Sequence, residues 1–175
     1  MKHQDMLGEM LDSAADRLAA YGYLLTGSQH AGEDLVQDAI VKVFVRQRRL
    51  ENAKAAEAYV RAAMRTLHID HMRRDVKWRA LMPRLADDRS PGRPDDALGE
   101  QDRVGEALST LGKQERTVVI LRFYDDLKVS DIAAQMHLAE GTVKRYLSQA
   151  LDKLAEFLGD IEGDLERIAI VERKK

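Results

Sequence analysis

Residues 136–154 decide the fold of this chain, because MHLAEGTVKRYLSQALDKL joins a short turn to a regular row of apolar residues. The apolar positions recur at spacings of one, three and four, which places them in a single stripe along an α-helix. The stripe consists of Val143, Leu147, Ala150, Leu151, Leu154 and Leu158. Residues 137–141 are predicted to form a turn, and Ser130 is predicted to cap a shorter helix before it. A short helix, a tight turn and a longer helix make the helix-turn-helix pattern.

The second helix of this pattern carries basic and hydrogen-bonding side chains on the outward side of its first two turns. The cations suit phosphates or guanine, and the hydroxyl and amide groups can pair with base edges. The predicted DNA-reading residues are Thr142, Lys144, Arg145, Ser148 and Gln149. A recognition helix presents its N-terminal turns to the major groove, so this distribution favours DNA binding over an ordinary solvated helix face.

Composition extends the helical prediction to the rest of the chain. Among 175 residues there are 3 Pro, 3 Phe and no Cys, whereas good helix formers such as Ala and Leu are abundant. The lack of Cys excludes disulfides and thiolate metal sites within this chain. No stretch approaches the roughly 18 apolar residues of a membrane span, and the N-terminus lacks the apolar core of a signal peptide. We therefore predict an all-α protein without a cofactor or a metal, with no membrane insertion and a cytoplasmic location.

The prolines divide the chain into two small helical domains. All three lie within residues 83–102, where the apolar periodicity stops, and this composition predicts a flexible linker. The predicted parts are a first domain at 1–82, the linker at 83–102, a second domain at 103–159 and a C-terminal extension at 160–175. The predicted helices of the first domain are Gln4–Leu25, about Ala31–Arg46 and about Ala53–Trp78. In the second domain, Val118, Leu121 and Tyr124 are predicted to share one face of a helix that stops at Asp125.

Charge is distributed unevenly although the net charge is only −2. Residues 1–40 contain 2 basic and 7 acidic side chains, whereas residues 41–79 contain 11 basic and 4 acidic ones. A strongly basic segment in an otherwise neutral chain is typical of a surface that binds a polyanion. This step in charge argues against a helical interaction protein that has no role in DNA binding.

Three stretches carry a family resemblance. They are ALSTLGKQERTVVILRFYDDLKVSDIAAQMHLAEGTVKRYLSQALDKL at 107–154, GEDLVQDAIVKVF at 32–44 and AYVRAAMRTLHIDHMRR at 58–74. The first resembles region 4 of the extracytoplasmic-function (ECF) sigma factors, a group within the sigma-70 family of bacterial RNA polymerase. The other two resemble the parts of region 2 that grip the polymerase clamp and that open and read the minus-10 element. By this resemblance the chain is identified as a member of the ECF sigma factors, which implies that it directs promoter recognition and opening.

The resemblance implies which residues meet the polymerase and the promoter. Asp34, Gln37 and Asp38 would contact the clamp helices of the largest polymerase subunit. The minus-10 contacts would come from Tyr59, Arg61, Arg65, Thr66, Arg73, Arg74 and Lys77, and the minus-35 contacts from the outward residues of the recognition helix. Together with Tyr59, the loop at 48–57 would offer a stacking surface for an unpaired base. Trp78 could stack as well, but a packing role is favoured.

The chain departs from the usual family residues at several of these positions. Tyr59 and Thr66 stand where Trp and Asn are usual, and KRYLSQAL at 144–151 replaces the common KSRLSRAR. Fewer cations in the recognition helix predict weaker phosphate contact and a different minus-35 preference. Ala139 stands where a capping Ser is usual.

The resemblance also implies three partners. They are core RNA polymerase, through its clamp helices and its flap, promoter DNA, and an anti-sigma factor. The extension at 160–175 has two interpretations, which are a packing extension and a short helix that folds back on region 4 and modulates DNA access.

Other functions fit the sequence less well. A stand-alone helix-turn-helix regulator would bind duplex DNA without polymerase, but it would need a dimerisation or signal-binding domain that the first half does not suggest. A metal site at His68, Asp70 and His71 is disfavoured, because the cations nearby oppose another cation. No nucleophile triad, phosphate-binding Gly loop or carboxylate pair stands out, so we expect no enzymatic activity.

Overall fold

The computed structural model describes residues 3–46, 50–81 and 99–172, and all the regular structure in these ranges is helical. The chain forms two compact units, Met1–Asp96 and Ala97–Lys175. The predicted all-α class is confirmed. Most of the predicted linker lies outside the described residues, and its last four residues, 99–102, are helical.

The first unit is a bundle of three helices, α1 (His3–Thr26), α2 (Gln29–Arg46) and α3 (Ala53–Leu81), each of which packs on the other two. The apolar stripe predicted for α1 is confirmed, because its members are at most 2% exposed: Met10, Ala14, Leu18, Tyr21 and Leu25. The interior is completed by apolar residues of the other two helices, including Leu35, Ala39, Val43, Val60, Met64 and Ile69. Burial of these residues determines which sides of α2 and α3 are exposed to solvent.

The turn between α1 and α2 contains only two residues. Gly27 adopts the left-handed conformation with φ of 77°, and its N–H donates to the carbonyl of Tyr23. The Ser28 hydroxyl oxygen accepts a hydrogen bond from the Ala31 N–H at 3.3 Å and caps α2. Because of this cap, α2 begins at Gln29, two residues before the start predicted from the sequence.

The helices α1 and α2 touch backbone to backbone at Gly22 and Gly32. A Cβ atom on Gly22 would lie 2.6 Å from the Gly32 carbonyl oxygen, and one on Gly32 would lie 2.7 Å from the Gly22 carbonyl carbon. Both distances are well below an ordinary van der Waals contact. The close packing of the two helices therefore depends on two residues that have no side chain.

Helix α3 starts against α1 and then extends beyond the bundle. The Asn52 side-chain oxygen accepts from the Ala55 N–H at 2.8 Å, so the helix begins inside the stretch predicted as the loop 48–57. Arg17 of α1 donates two hydrogen bonds to the Glu57 carboxylate, at 3.1 and 2.8 Å. The Arg17 hydrogen bond lowers the pKa of Glu57 below its ordinary value. The last buried residue of α3 is Met72, and residues 73–81 are all exposed.

The second unit contains α4 (Gly99–Ser109), α5 (Lys113–Val119), α6 (Val129–Met136) and α7 (Glu140–Glu172). Helix α7 packs on the other three helices. Its core includes residues from each element: Leu108, Val118, Leu121, Ile132, Met136, Val143 and Ala150. The predicted helix-turn-helix is formed by α6 and α7.

A π-helical turn, Ile120–Tyr124, follows α5 directly and corrects one sequence prediction. The Asp125 N–H donates to the Ile120 carbonyl at 3.1 Å, five residues back, so the turn is wider than an α-helical turn. The widening changes which side chains face the core. Val118 and Leu121 are buried as predicted, but Tyr124 is 46% exposed. The helical segment ends at Asp125 as predicted.

The turn between α6 and α7 uses left-handed backbone at His137. Its φ is 54°, and the next N–H, of Leu138, donates to the carbonyl of Ala133 at 2.9 Å, which closes the end of α6. The predicted cap at Ser130 is wrong, because α6 begins at Val129 and Lys128 occupies the N-cap position with an extended backbone. Helix α7 begins at Glu140, and the Ala139 carbonyl accepts from the N–H groups of Thr142 and Val143.

Helix α7 is longer than the sequence predicted. It continues through residue 172 without a break, so the backbone of the extension prolongs the recognition helix instead of forming a separate short helix. At 33 residues it is about 50 Å long. Within the predicted apolar stripe, Val143 and Ala150 are buried, but Leu151 and Leu158 are 46% and 57% exposed. The second unit is too small to cover the whole stripe.

A buried carboxylate connects α5 to α7. Glu115 accepts hydrogen bonds from the Gly112 N–H at 2.8 Å and from Lys153 Nζ at 3.0 and 2.8 Å. Burial raises the pKa of Glu115, but the hydrogen bonds from Lys153 and Gly112 outweigh burial, so the pKa lies below its ordinary value. One side chain thus caps α5 and fixes the middle of α7.

Candidate functional site

The predicted DNA-reading residues lie on the first turns of α7. Lys144, Arg145, Ser148 and Gln149 are exposed, and Thr142 is half-buried. Arg145, Ser148 and Gln149 are three and four residues apart, so they form one patch, whereas Lys144 lies at its flank. The Arg145 guanidinium lies over the neighbouring Tyr146 ring, 5.4 Å from its centroid. This patch combines one cation with hydroxyl and amide groups, which is the chemistry that reads base edges.

A second exposed face runs along α3. Tyr59, Thr66 and Arg73 are spaced by seven residues, and Lys77 follows four residues later, so all four lie on one side of the helix. All four are exposed, Tyr59 at 47%. Arg74 is exposed beside them, and Asp70, Arg73, Arg74 and Lys77 line a shallow hollow. The face joins an aromatic ring and a hydroxyl group to a cluster of cations.

Two of the predicted minus-10 residues are not on this face. The Arg61 guanidinium lies over the Tyr21 ring of α1, 5.0 Å from its centroid. Arg65 is half-buried, and its Nε atom is inaccessible to solvent. The structure therefore brings Arg61 and Arg65 to the bundle side of α3, where they support the packing of the face rather than extend it.

The third exposed face is on α2. Asp34, Gln37 and Asp38 are exposed and lie on one side of the helix, as the sequence predicted. The same side continues into Val41 and Val45, which are 62% and 77% exposed. Helix geometry predicts that position 41 shares this side, but neither valine was among the predicted polymerase-binding residues, because apolar residues resemble core residues. Their spacing of three and seven residues from Asp38 is the signal that places them on this face.

Trp78 corrects a further prediction. It was expected to pack, but it is 61% exposed, because α3 extends beyond the part of the bundle that α1 and α2 cover. The residues weighed as metal ligands also do not converge. His68 is buried in the core, His71 is exposed, and Asp70 lies 3.8 Å from Arg73 Nη1. In the described ranges, no group of His, Asp and Glu side chains is arranged to hold a metal ion.

The two units match two parts of one family. Residues 10–79 match Sigma-70 region 2, and residues 101–154 match Sigma-70, region 4. Together these matches cover more than two thirds of the chain, in the order that the sequence resemblance implies. The chain belongs to the sigma-70 family of RNA polymerase sigma factors. Members of this family are in general non-enzymatic regulatory proteins.

Individual relatives agree with this assignment and with the ECF group. This sigma factor is 29% identical to the RNA polymerase sigma-E factor of Streptomyces coelicolor, across 82% of this chain and 80% of the relative. It is 27% identical to the ECF RNA polymerase sigma factor SigL of Mycobacterium tuberculosis, across 85% and 86% of the two chains. The predicted identification as an ECF sigma factor is confirmed.

A solved structure is also similar to this sigma factor. It is the co-crystal structure of the sigma factor RpoE in complex with the anti-sigma factor NepR from Bartonella quintana. The TM-score is 0.56 at 25% identity, and the match covers 87% of this chain and 96% of the other. Among the described residues of this sigma factor, no helix has the length and apolar character needed to cross a membrane.

Proposed function

We propose that this sigma factor binds core RNA polymerase through the outer face of α2 and directs promoter recognition and opening through α3 and α7. The observation that carries the proposal is the presence of three exposed faces with different chemistry, in the chain order of the family's regions 2 and 4. A stand-alone regulator is not favoured, because region 2 would then have no use for an exposed acidic and apolar face on α2.

The α2 face suits a basic protein surface. Asp34 and Asp38 supply negative charge, Gln37 supplies an amide, and the exposed Val41 and Val45 supply apolar area to bury. Opposite charge steers association, and a desolvated apolar centre holds the complex. We assign this face to the clamp helices of the largest polymerase subunit, and we assign region 4 to the flap by family resemblance.

The α3 and α7 faces suit promoter DNA in two states. On α3, the cations can contact the phosphates of the DNA strand while Tyr59 stacks on an unpaired base near Thr66. This combination of contacts is typical of proteins that bind unpaired DNA. On α7, Arg145 and Gln149 can form hydrogen bonds with base edges in the major groove of the duplex minus-35 element. The linker residues between the two units would let one protein contact both elements.

Three consequences belong to this proposal. An anti-sigma partner, as NepR is for RpoE, would occupy the polymerase-binding and DNA-binding faces and silence the protein. A protein that works with RNA polymerase on chromosomal DNA would act in the cytoplasm. The chain itself would catalyse no reaction, because phosphodiester synthesis belongs to the polymerase.

Charge reversal on α2 tests the polymerase contact. Asp34→Lys with Asp38→Lys should abolish core binding, measured by fluorescence anisotropy of the labelled full-length protein, because the steering charge becomes repulsive. The control is Asp12→Lys with Asp16→Lys, which makes the same charge change at the same spacing on the exposed side of α1. An equal loss of core binding in both variants would show that the change in net charge causes the effect. Normal core binding by the α2 variant would overturn the assignment.

Run-off transcription tests the function as a whole. The purified protein is added to core RNA polymerase and fragmented DNA from the source genome, and discrete transcripts are expected. DNA binding without core and without transcripts would overturn the proposal in favour of the stand-alone regulator.

A further inference from the structure

The end of α3 exposes an indole among cations. Residues 73–81 extend about 13 Å beyond the last buried residue of the helix, Met72. This end of α3 carries four cations, Arg73, Arg74, Lys77 and Arg79, against one acid, Asp75, and all are exposed. Trp78 is 61% exposed in their midst. Tryptophan is enriched at interfaces, so an exposed indole among cations is a candidate contact for a partner.

The charge of this segment selects the class of partner. Four cations against one acid favour a polyanion and disfavour a basic protein surface. Sites for unpaired nucleic acid combine backbone-tracking cations with an aromatic ring, because every base has a face on which such a ring can stack. Trp78 and its neighbours provide both parts on two turns of one helix.

The position of Trp78 separates it from the base contact proposed at Tyr59 and Thr66, although its flanking cations also belong to the α3 face described above. It lies twelve residues after Thr66, about 18 Å along the helix axis. A stacked DNA strand rises about 3.4 Å for each nucleotide and an unstacked strand rises more, so this distance corresponds to at most about five nucleotides. Twelve residues also rotate the side chain by about a third of a turn relative to Thr66. Trp78 therefore cannot contact the nucleotide that Thr66 faces.

We propose that Trp78 is a second stacking residue of this sigma factor, which holds an unpaired promoter nucleotide up to about five positions from the one at Thr66. The flanking cations hold the phosphates on either side of that nucleotide. The inference rests on the proposed function, since it assigns one more contact to the promoter DNA that region 2 would open.

Trp78 is the only tryptophan of the chain, so a signal from a labelled tryptophan comes from this residue alone. The full-length protein is labelled with 5-fluorotryptophan and followed by fluorine NMR, first alone, then with core RNA polymerase, then with promoter DNA. The probes are a single-stranded oligonucleotide that spans the open segment of a promoter mapped by run-off transcription, and the matching duplex. We expect the resonance to shift with the single strand and to stay in place with core alone or with the duplex. A shift with core alone would overturn the proposal in favour of a protein contact, and a shift with duplex only would overturn stacking.

Substitution gives an independent measure of the contact. Trp78→Ala should weaken binding of the single-stranded oligonucleotide about 5-fold to 140-fold, the equivalent of one lost stacked base. Trp78→Phe should retain most of the affinity. Val76→Ala, an exposed apolar residue two positions before Trp78 and therefore on another side of α3, is the control and should leave affinity unchanged. Equal affinity of the Ala variant and the wild type would overturn the inference.

The run-off assay distinguishes the two possible failures. If the wild type directs discrete transcripts but the Trp78 resonance does not shift with the single strand, only the assignment of Trp78 as a stacking residue is wrong. If no transcripts appear, the proposed function itself fails.

Discussion

A side chain at Gly22 should destabilise the first unit, although alanine is the better helix former. Replacing Gly by Ala inside a helix normally stabilises it by about 1 kcal/mol. At Gly22, however, the new Cβ would lie 2.6 Å from the Gly32 carbonyl oxygen, whereas ordinary contacts begin at 3.4 Å. The helices α1 and α2 must then separate by about 0.8 Å, the difference between these two distances.

The magnitude follows from the two opposing effects. Forcing extra volume into a packed site costs about 1–3 kcal/mol, and the upper part of this range applies because the opposing atoms belong to the backbone. After the gain in helix propensity, Gly22→Ala should destabilise the first unit by about 1–2 kcal/mol. For a unit of this size, that is a fall in Tm of roughly 4–16 °C.

Urea denaturation of the full-length protein, followed by circular dichroism, measures the effect. The matched control is Gly8→Ala, on the same helix, where a Cβ would meet no atom within 4 Å. It should raise stability by up to about 1 kcal/mol. Because Gly22 and Gly32 contact each other, the double alanine variant should cost less than the sum of the two single changes. If Gly22→Ala stabilised the protein as much as Gly8→Ala, the backbone contact would be refuted as the feature that sets the helix spacing.

Three further predictions concern the second unit. Arg145→Ala and Gln149→Ala should each weaken minus-35 binding by about 1–3 kcal/mol, and equal losses on a scrambled duplex in an anisotropy titration would rule out base reading. Glu115→Gln should cost about 1 kcal/mol at pH 7, because it removes the ion pair with the half-exposed Lys153. Because the folded-state pKa of Glu115 is lowered, its contribution is present above the unfolded pKa of about 4.3 and is lost as pH falls through the folded value. Urea titrations at several pH values should therefore show a flatter acid dependence in the Gln variant than in the wild type. His137→Gly should stabilise the unit by about 1 kcal/mol in urea denaturation, since it relieves a side chain at positive φ, whereas His137→Ala should bring no such gain.

Periodicity predicted those parts of the fold in which local pattern and tertiary packing agree. The α1 stripe from Met10 to Leu25 is buried as expected, because all its neighbours lie in one bundle. Periodicity failed to predict burial where the unit ends or where the helix departs from α-helical geometry. Leu151 and Leu158 continue the stripe of α7, but the unit is too short to cover them. Tyr124 faces outward because a π-helical turn breaks the α-helical period, and apolar spacing contains no signal for that turn.

Residue type predicted the chemistry of each exposed face, but it did not predict which residues lie on that face. The acidic and amide residues of α2 lie together as expected, but Arg61 and Arg65 do not join the other cations of α3. Basic residues look alike in a sequence, and only the packing against Tyr21 separates Arg61 from the exposed cations. Trp78 was misjudged for the converse reason, since the sequence does not show where the bundle stops covering α3.

The contact between Glu115 and Lys153 gives the recognition helix a second fixed point. Helix α7 is buried at Val143 beside the turn, and Glu115 holds it again ten residues later, about 15 Å along the axis. Because α7 is fixed at two points along its axis, it cannot rotate about either of them. The direction in which Arg145 points is therefore set by α5 as well as by the turn. Under the proposed function, changes at Glu115 or Lys153 would therefore alter promoter preference, although neither residue belongs to the proposed DNA-reading patch.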